Sequence, residues 1–177
     1  MAEHVADNQL PAGGGSSRPV KHAVTARTKA RRRAVEVLFE ADQRGLLRPG
    51  QDEPGQDGAD PASRLRTFAA ERALHSANHT EAPVYARTIL AGVAEHLGQV
   101  DETIETYAQS WTLDRMPAVD RAIARVATWE ILHNEEVDAP VAVDEAMTLA
   151  RMLSTDDSPR YLGGLLGRIA DLADTLR

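Results

Sequence analysis

Five cationic residues lie close together near the start of a helical pattern in this chain. They are Arg27, Lys29, Arg31, Arg32 and Arg33. Side chains of this charge and density neutralise phosphates, so the chemistry they offer is the binding of a polyanion such as single-stranded RNA. The distribution of charge favours this interpretation, because residues 8–35 contain no Asp or Glu although the whole chain has a net charge of −7. The alternative is a solvated segment that only aids solubility.

Residues that could form a catalytic or metal site lack the spacing such sites need. His75 and His79 are four residues apart, but Ser76 stands where the zincin pattern has Glu. The run GGLLG at 163–167 lacks the spacing of a dinucleotide fingerprint. Asp156 and Asp157 precede Ser-Pro, which is typical of the loop before a helix. We therefore expect a binding protein and no enzyme, with no cofactor and no metal ion.

Composition points to an intracellular protein. The chain of 177 residues has no cysteine, which is typical of a reducing cytoplasm. It shows neither an apolar run of transmembrane length nor the apolar core of a signal peptide, so we expect a cytoplasmic location without membrane contact.

Apolar residues at helical spacing predict the elements that position the cations. The first helix runs from Thr25 to Arg44 and ends at Gly45, with Phe39 on its apolar stripe, where a core role is the simpler expectation. Later helices are predicted to begin near Ser63, Tyr85, Val100, Pro117, Pro140 and Ser158, and Trp111 is placed on the apolar stripe of the fourth helix. No segment alternates with period two, so the fold is all-α with about seven helices, of which the one after Pro117 is central.

Pro- and Gly-rich stretches predict the domain organisation. Residues 1–24 read as a disordered basic tail and 48–62 as a flexible insertion. A division near residue 112 gives an N-terminal helical subdomain, 25–112, and a C-terminal one, 113–177. Gly92 and the pair Gly163 and Gly167 predict close helix crossings, and Gly98 the end of the third helix.

Four segments together resemble the NusB family of bacterial transcription antitermination factors. They read ARRRAVEVLFEAD at 30–42, YARTILAGVAEHL at 85–97, WTLDRMPAVDRAIARVATWEIL at 111–132 and PVAVDEAMTLARMLSTDDSPRYLGGLLG at 140–167. The sequence around Trp111 and Ser154 is similar to that of actinobacterial members. The resemblance extends over most of the chain, from about Ala26 to Asp171.

The resemblance implies both a fold and a function. The fold would be two orthogonal helical subdomains. The function would be to bind boxA RNA together with the ribosomal protein NusE, and to join RNA polymerase in a complex that transcribes ribosomal RNA operons through terminators. The family's RNA-binding positions match Arg27, Lys29, Arg31, Phe39 and Asp157, with Arg32 and Arg33 as further cations, and its NusE-facing acidic position matches Asp120.

Some features depart from the family pattern and leave alternatives open. Residues 161–164 read Tyr-Leu-Gly-Gly where the family usually has Phe-Val-Asn-Gly, so an amide is missing there. One alternative is the NusB-like RNA-binding module of a ribosomal RNA cytosine methyltransferase, of which this chain would be a fragment. Another is a homodimer that buries the RNA-facing surface, as some actinobacterial members do.

Overall fold

The regular secondary structure in the described part of the chain is helical. The computed structural model describes residues 24–50, 58–74, 81–109 and 111–177, and no strand occurs within these ranges. The helices are α1 Ala26–Gln43, α2 Pro61–Leu74, α3 Val84–Glu95, α4 Leu97–Tyr107, α5 Ala118–His133, α6 Ala139–Leu153, α7 Ser158–Asp171 and α8 Ala173–Leu176, with a 3₁₀ turn at Leu113–Arg115. The all-α prediction is confirmed. None of these helices is long and apolar enough to cross a membrane.

Several sequence expectations fall outside the described residues. The predicted tail is described only at Val24, and of the predicted insertion residues 51–57 are not described. The pair His75 and His79 lies in another such stretch, 75–80.

Helix α1 has nearly the predicted bounds, with Thr25 and Arg44 as its capping residues and Gly45 after its end. The Oγ1 of Thr25 accepts a hydrogen bond from the backbone N–H of Thr28 at 3.0 Å. At the other end Gly45 has a φ of 73°, and its N–H donates to the carbonyl of Asp42 at 2.9 Å. The N–H of Leu46 donates to Ala41 at 3.0 Å, which completes a Schellman motif.

Other helix boundaries differ from the prediction. Asp60 precedes α2, accepting hydrogen bonds from the backbone N–H and the hydroxyl of Ser63, so the helix begins before the predicted cap at Ser63. It also begins inside the predicted insertion. Gly98 lies within α4, because α3 already ends at Glu95. The last predicted helix is interrupted at Leu172, which separates α7 from α8.

Helix α5 is the central element, as its all-round apolar pattern predicts. It packs against α1, α3, α4, α6 and α7. The buried side chains of α1 to α4 and of α5 to α7 belong to one hydrophobic cluster. The division of the chain near residue 112 therefore remains a prediction.

Two buried ion pairs hold α1 antiparallel to α5. Near the start of α1, Arg31 Nε donates to the Glu130 carboxylate at 2.9 and 3.0 Å. Near its end, Asp42 accepts from Arg121 Nε at 2.6 Å. Each pair joins the start of one helix to the end of the other, so the two helices are antiparallel. Because both pairs are buried, the face of α1 that carries Arg31 and Asp42 points inward.

A close helix crossing occurs at Gly92, as predicted. A Cβ added there would lie 2.1 Å from Cε2 of Trp129, so the ring occupies the space that a side chain would need. At Gly163 an added Cβ would lie 3.0 Å from the Met147 sulfur, a tight but less severe contact. The prediction of a close crossing is wrong at Gly167, because a Cβ added there would meet no atom of a neighbouring element within 4 Å.

We expect Gly92→Ala to destabilise the protein by about 1–3 kcal/mol, because the rigid indole of Trp129 must move to admit the methyl group. Urea unfolding followed by tryptophan fluorescence measures the loss. Gly98→Ala is the matched control, because a Cβ there meets nothing within 4 Å and alanine favours the helix. Equal stability of the two variants would contradict the crossing.

Candidate nucleic-acid interface

The outward side of α1 combines cations with an aromatic ring. Lys29, Arg32, Glu36 and Phe39 follow one another at intervals of three or four residues, so they share one face of the helix, and Arg33 lies beside them. We call these five residues the outer face of α1. Phe39 is 36% exposed, so the expectation that it belongs to the core is wrong. The first turn of α1 contains no acidic residue.

Glu36 partly neutralises the cations of the outer face. Arg32 Nε donates to Glu36 at 3.0 Å, and Arg33 Nη1 lies 3.8 Å from the same carboxylate. Arg33 also donates to the backbone carbonyl of Arg72 at 3.3 Å. Exposed ion pairs of this kind contribute about 0–1 kcal/mol, so a phosphate can compete for these guanidinium groups.

Arg27 stands in the first turn of α1, one turn before Arg31 and on the same side of the helix. Its side chain is 50% exposed, and its guanidinium lies 4.7 Å from the centre of the Tyr85 ring. One of its nitrogens is 3.5 Å from the exposed Glu136 carboxylate. Arg27 is thus oriented by a cation–π contact while its charge remains open to solvent.

Arg31 points into the protein, so the expectation that it faces RNA does not hold. It is 3% exposed, and besides Glu130 it donates to Glu145 at 3.0 Å. Burial by itself would lower the pKa of Arg31, but its hydrogen bond to Glu130 and that residue's charge raise the pKa above the usual value. Arg31 lies one turn before Val35 on the apolar stripe, which is why it is the cation that turns inward.

Tyr85 completes the polar cluster around Arg31. Its hydroxyl donates to Glu130 and accepts from the Asn134 amide at 3.1 Å. Burial raises the pKa of Tyr85, and the hydrogen bond and charge of Glu130 raise it further. The hydroxyl therefore stays protonated, and the cluster holds α1, α3 and α5 together with both oxygens of Glu130 engaged.

Asp120 is also buried, so it does not present the partner-facing carboxylate that the resemblance implies. It is 2% exposed. Its two oxygens accept hydrogen bonds from the hydroxyls of Ser154 at 2.5 Å and Ser158 at 2.8 Å. In the first turn of α5 its charge is also favoured by the helix dipole. Asp120 thus fixes the loop between α6 and α7 to α5.

Asp157 lies in a separate groove at the start of α7. The groove has a volume of 480 Å³ and is also lined by Trp111, Arg160, Tyr161 and Arg168. Trp111 is 42% exposed, and its ring centre lies 4.9 Å from that of Tyr161. An exposed aromatic ring beside two arginines can stack an unpaired base, and the Asp157 carboxylate can accept hydrogen bonds from a base amino group.

The sequence prediction assigned Trp111 to the apolar stripe of α4 and so missed this groove. In the structure α4 ends at Tyr107, and Gln109 adopts a left-handed φ of 56°. This turn takes Trp111 out of the helix and over Tyr161. A signal was available, because Thr112-Leu113-Asp114 after the tryptophan already reads as a helix break.

The groove and the start of α1 lie at opposite ends of α5. Ser158, next to Asp157, is bound to Asp120, whereas Arg31 is bound to Glu130. Ten residues of helix separate these two contacts, which is about 15 Å at a rise of about 1.5 Å per residue. Only an extended ligand could contact both regions. Among the described residues, no cluster of three His, Asp or Glu side chains is placed to hold a metal ion.

The sequence matches the NusB family and its members over most of the chain. The model of the NusB family matches residues 28–171. The transcription antitermination protein NusB of Beutenbergia cavernae is 47% identical over 156 residues, which cover 87% of this chain and 95% of that protein. Its counterpart in Salinispora tropica is 49% identical over 148 residues, covering 84% of this chain and 97% of that protein.

Solved structures share the fold. The chain is similar to T. maritima NusB with a TM-score of 0.61 and 28% identity, over 83% of this chain and 92% of that one. It is also similar to a chain in a complex of the antitermination factors NusB and NusE with double-stranded RNA. That match has a TM-score of 0.58 and 19% identity, over 82% of this chain and 96% of that one, so it bears on the fold alone.

We expect Asp120→Asn to lower the free energy of unfolding by about 1–3 kcal/mol, because the amide keeps one acceptor oxygen where two buried hydroxyls need partners. Chemical denaturation measures the change. Asp114→Asn is the control, since Asp114 is an exposed acidic residue in the neighbouring 3₁₀ turn. An unchanged unfolding midpoint for Asp120→Asn would contradict the structural role assigned to this carboxylate.

Proposed function

The chain belongs to the NusB family, and from this premise we propose that it is a transcription antitermination factor that binds boxA RNA. In this proposal it acts with NusE and RNA polymerase during transcription of ribosomal RNA operons. Relatives that match more than four fifths of this chain are named transcription antitermination proteins. These names favour an RNA-binding adaptor over the module of a methyltransferase.

The observation that carries the proposal is the outer face of α1. It offers Lys29, Arg32 and Arg33 to phosphates and Phe39 to a base, on one rigid helix. Single-stranded RNA is bound by this combination of cations and exposed rings, because unpaired bases can stack while the backbone is neutralised. Arg27 adds an exposed charge in the first turn of the helix, over the Tyr85 ring and away from the outer face. Arg31 orients the helix and does not bind RNA in this proposal.

The groove of Asp157 is proposed as a second contact for the same strand. Trp111 would stack a base, and Arg160 would neutralise a phosphate beside the carboxylate. An RNA of about twelve nucleotides is long enough to extend from α1 to this groove, whose separation along α5 is about 15 Å.

We expect Arg32→Gln to weaken binding of a boxA-like single strand and to reduce the slope of log affinity against log salt. The slope should fall in magnitude by about 0.7, the contribution of one neutralised phosphate in single-stranded nucleic acid. Electrophoretic mobility over a salt series measures it. In a parallel titration, emission of the exposed Trp111 should be quenched, while buried Trp129 supplies a constant signal.

Arg66→Gln is the matched control for this experiment. Arg66 is exposed on the side of α2 that faces α3, where it lines a groove with Ala69 and Leu90, so the same charge is lost away from the outer face. Equal slopes for the wild type, Arg32→Gln and Arg66→Gln would remove the outer face of α1 from the RNA interface. Unchanged tryptophan fluorescence during the titration would exclude the Trp111 groove from the RNA interface.

NusE is the proposed protein partner, and a homodimer is the competing assembly. The buried Asp120 acts in this proposal through the position of the α6–α7 loop and not by direct contact. We expect the mass measured by light scattering to correspond to one copy each of this chain, NusE and boxA RNA when the three are mixed. A mass of two copies of this chain that neither NusE nor RNA changes would instead identify the homodimer.

A further inference from the structure

Two arginines converge on one carboxylate at the far end of α1. Arg72 of α2 donates to Glu40 from Nε at 2.9 Å and from Nη2 at 2.7 Å. Arg44, the residue that caps α1, donates to the same carboxylate at 2.8 Å. The group therefore contains two positive charges and one negative charge.

Phe68 orients both guanidinium groups. The carbon at the centre of the Arg72 guanidinium lies 4.8 Å from the middle of the Phe68 ring, and that of Arg44 lies 5.3 Å from it. Cation–π contacts at these distances restrict long side chains that would otherwise sample many rotamers. A phosphate that binds here meets two arginines that are already positioned, which reduces the entropy lost on binding.

The contact between α1 and α2 does not need the second arginine. Arg72 alone engages both oxygens of Glu40, and this hydrogen bond is the largest cause of the lowered pKa of Glu40. Arg44 adds a bond within its own helix, and such exposed pairs contribute little to stability. Its side chain is 55% exposed, compared with 26% for Arg72. The charge of Arg44 is thus surplus to packing and open to solvent.

The pair lies in line with the outer face of α1. Arg33, Glu40 and Arg44 are seven and four residues apart, so they follow one side of the helix, and Phe39 is next to Glu40. From Arg32 to Arg44 the distance along the axis is about 18 Å, at a rise of about 1.5 Å per residue. Five stacked nucleotides span a similar length at about 3.4 Å each.

We propose that Arg44 and Arg72 form a second phosphate-binding site for the RNA strand held by the start of α1, so that the strand runs the length of this helix. This proposal rests on the proposed function, because it assumes that the outer face of α1 binds RNA. It adds a contact that neither the arginine-rich helix start nor the Asp157 groove supplies. Glu40 is the positioning residue of the site, and Phe39 lies where a base between the two phosphate contacts would stack.

The test compares Arg44→Gln, Arg32→Gln and the double variant with the wild type, using a single-stranded RNA of twelve nucleotides. Arg44→Gln should lower affinity about two- to fivefold at moderate salt, in the range of one exposed ion pair. Its salt slope should fall in magnitude by about 0.7, and that of the double variant by about 1.4. Because the two positions are far apart, their effects should add.

Arg66→Gln again serves as the charge-matched control, in the separate groove between α2 and α3, and circular dichroism on heating verifies that all variants fold alike. A wild-type slope for Arg44→Gln, together with a reduced slope for Arg32→Gln, would overturn the second site and leave the RNA-binding proposal standing. Wild-type slopes for both variants would overturn the RNA-binding surface itself. A reduced slope for Arg44→Gln equal to that of Arg66→Gln would show only a general charge effect and would also overturn the site.

Discussion

The burial of charge in helix α5 is the constraint on which the rest of the structure depends. An ion removed from water without a partner costs several kcal/mol, so each charged side chain in this central helix must meet a partner from another element. All four do: Asp120 binds Ser154 and Ser158, Arg121 binds Asp42, Arg125 binds Asp101, and Glu130 binds Arg31. These contacts specify which helices lie against α5, in which direction they run and at which position along its axis. Apolar packing alone defines these features less sharply.

The orientation of α1 follows from two of these contacts. Arg31 and Asp42 contact opposite ends of α5, so a rotation of α1 about its own axis would leave two buried charges without partners. The opposite side of the helix is therefore held toward solvent, and it presents Lys29, Arg32, Arg33 and Phe39 on a fixed surface. A binding face that is rigid before the ligand arrives loses less entropy when it binds. Stability and the proposed RNA contact thus share one structural cause.

Aromatic rings accompany the cations in each of the proposed contact regions. Phe39 lies on the outer face of α1, Phe68 lies beneath Arg44 and Arg72, and Trp111 covers the groove of Asp157. Duplex nucleic acid hides the faces of its bases, whereas a single strand offers them, so the exposed rings of Phe39 and Trp111 favour the single-stranded form, while buried Phe68 only orients the arginines. Acidic residues within each region reduce its net charge, which makes binding more dependent on stacking.

The sequence by itself determined the helices and the cationic stretch, because 3.6-residue periodicity and caps such as Thr25 and Gly45 are local properties of the chain. Gly92 could be predicted for the same reason, since its position on an apolar stripe implies a close neighbour. The apolar stripe already aligned Arg31 with Val35, but only tertiary structure supplied the buried carboxylate that holds this cation inside, because Glu130 is 99 residues away in the chain. Asp120 and Trp111 were likewise placed by contacts with α7, since local pattern specifies a helical face and long-range packing decides whether that face meets solvent or protein.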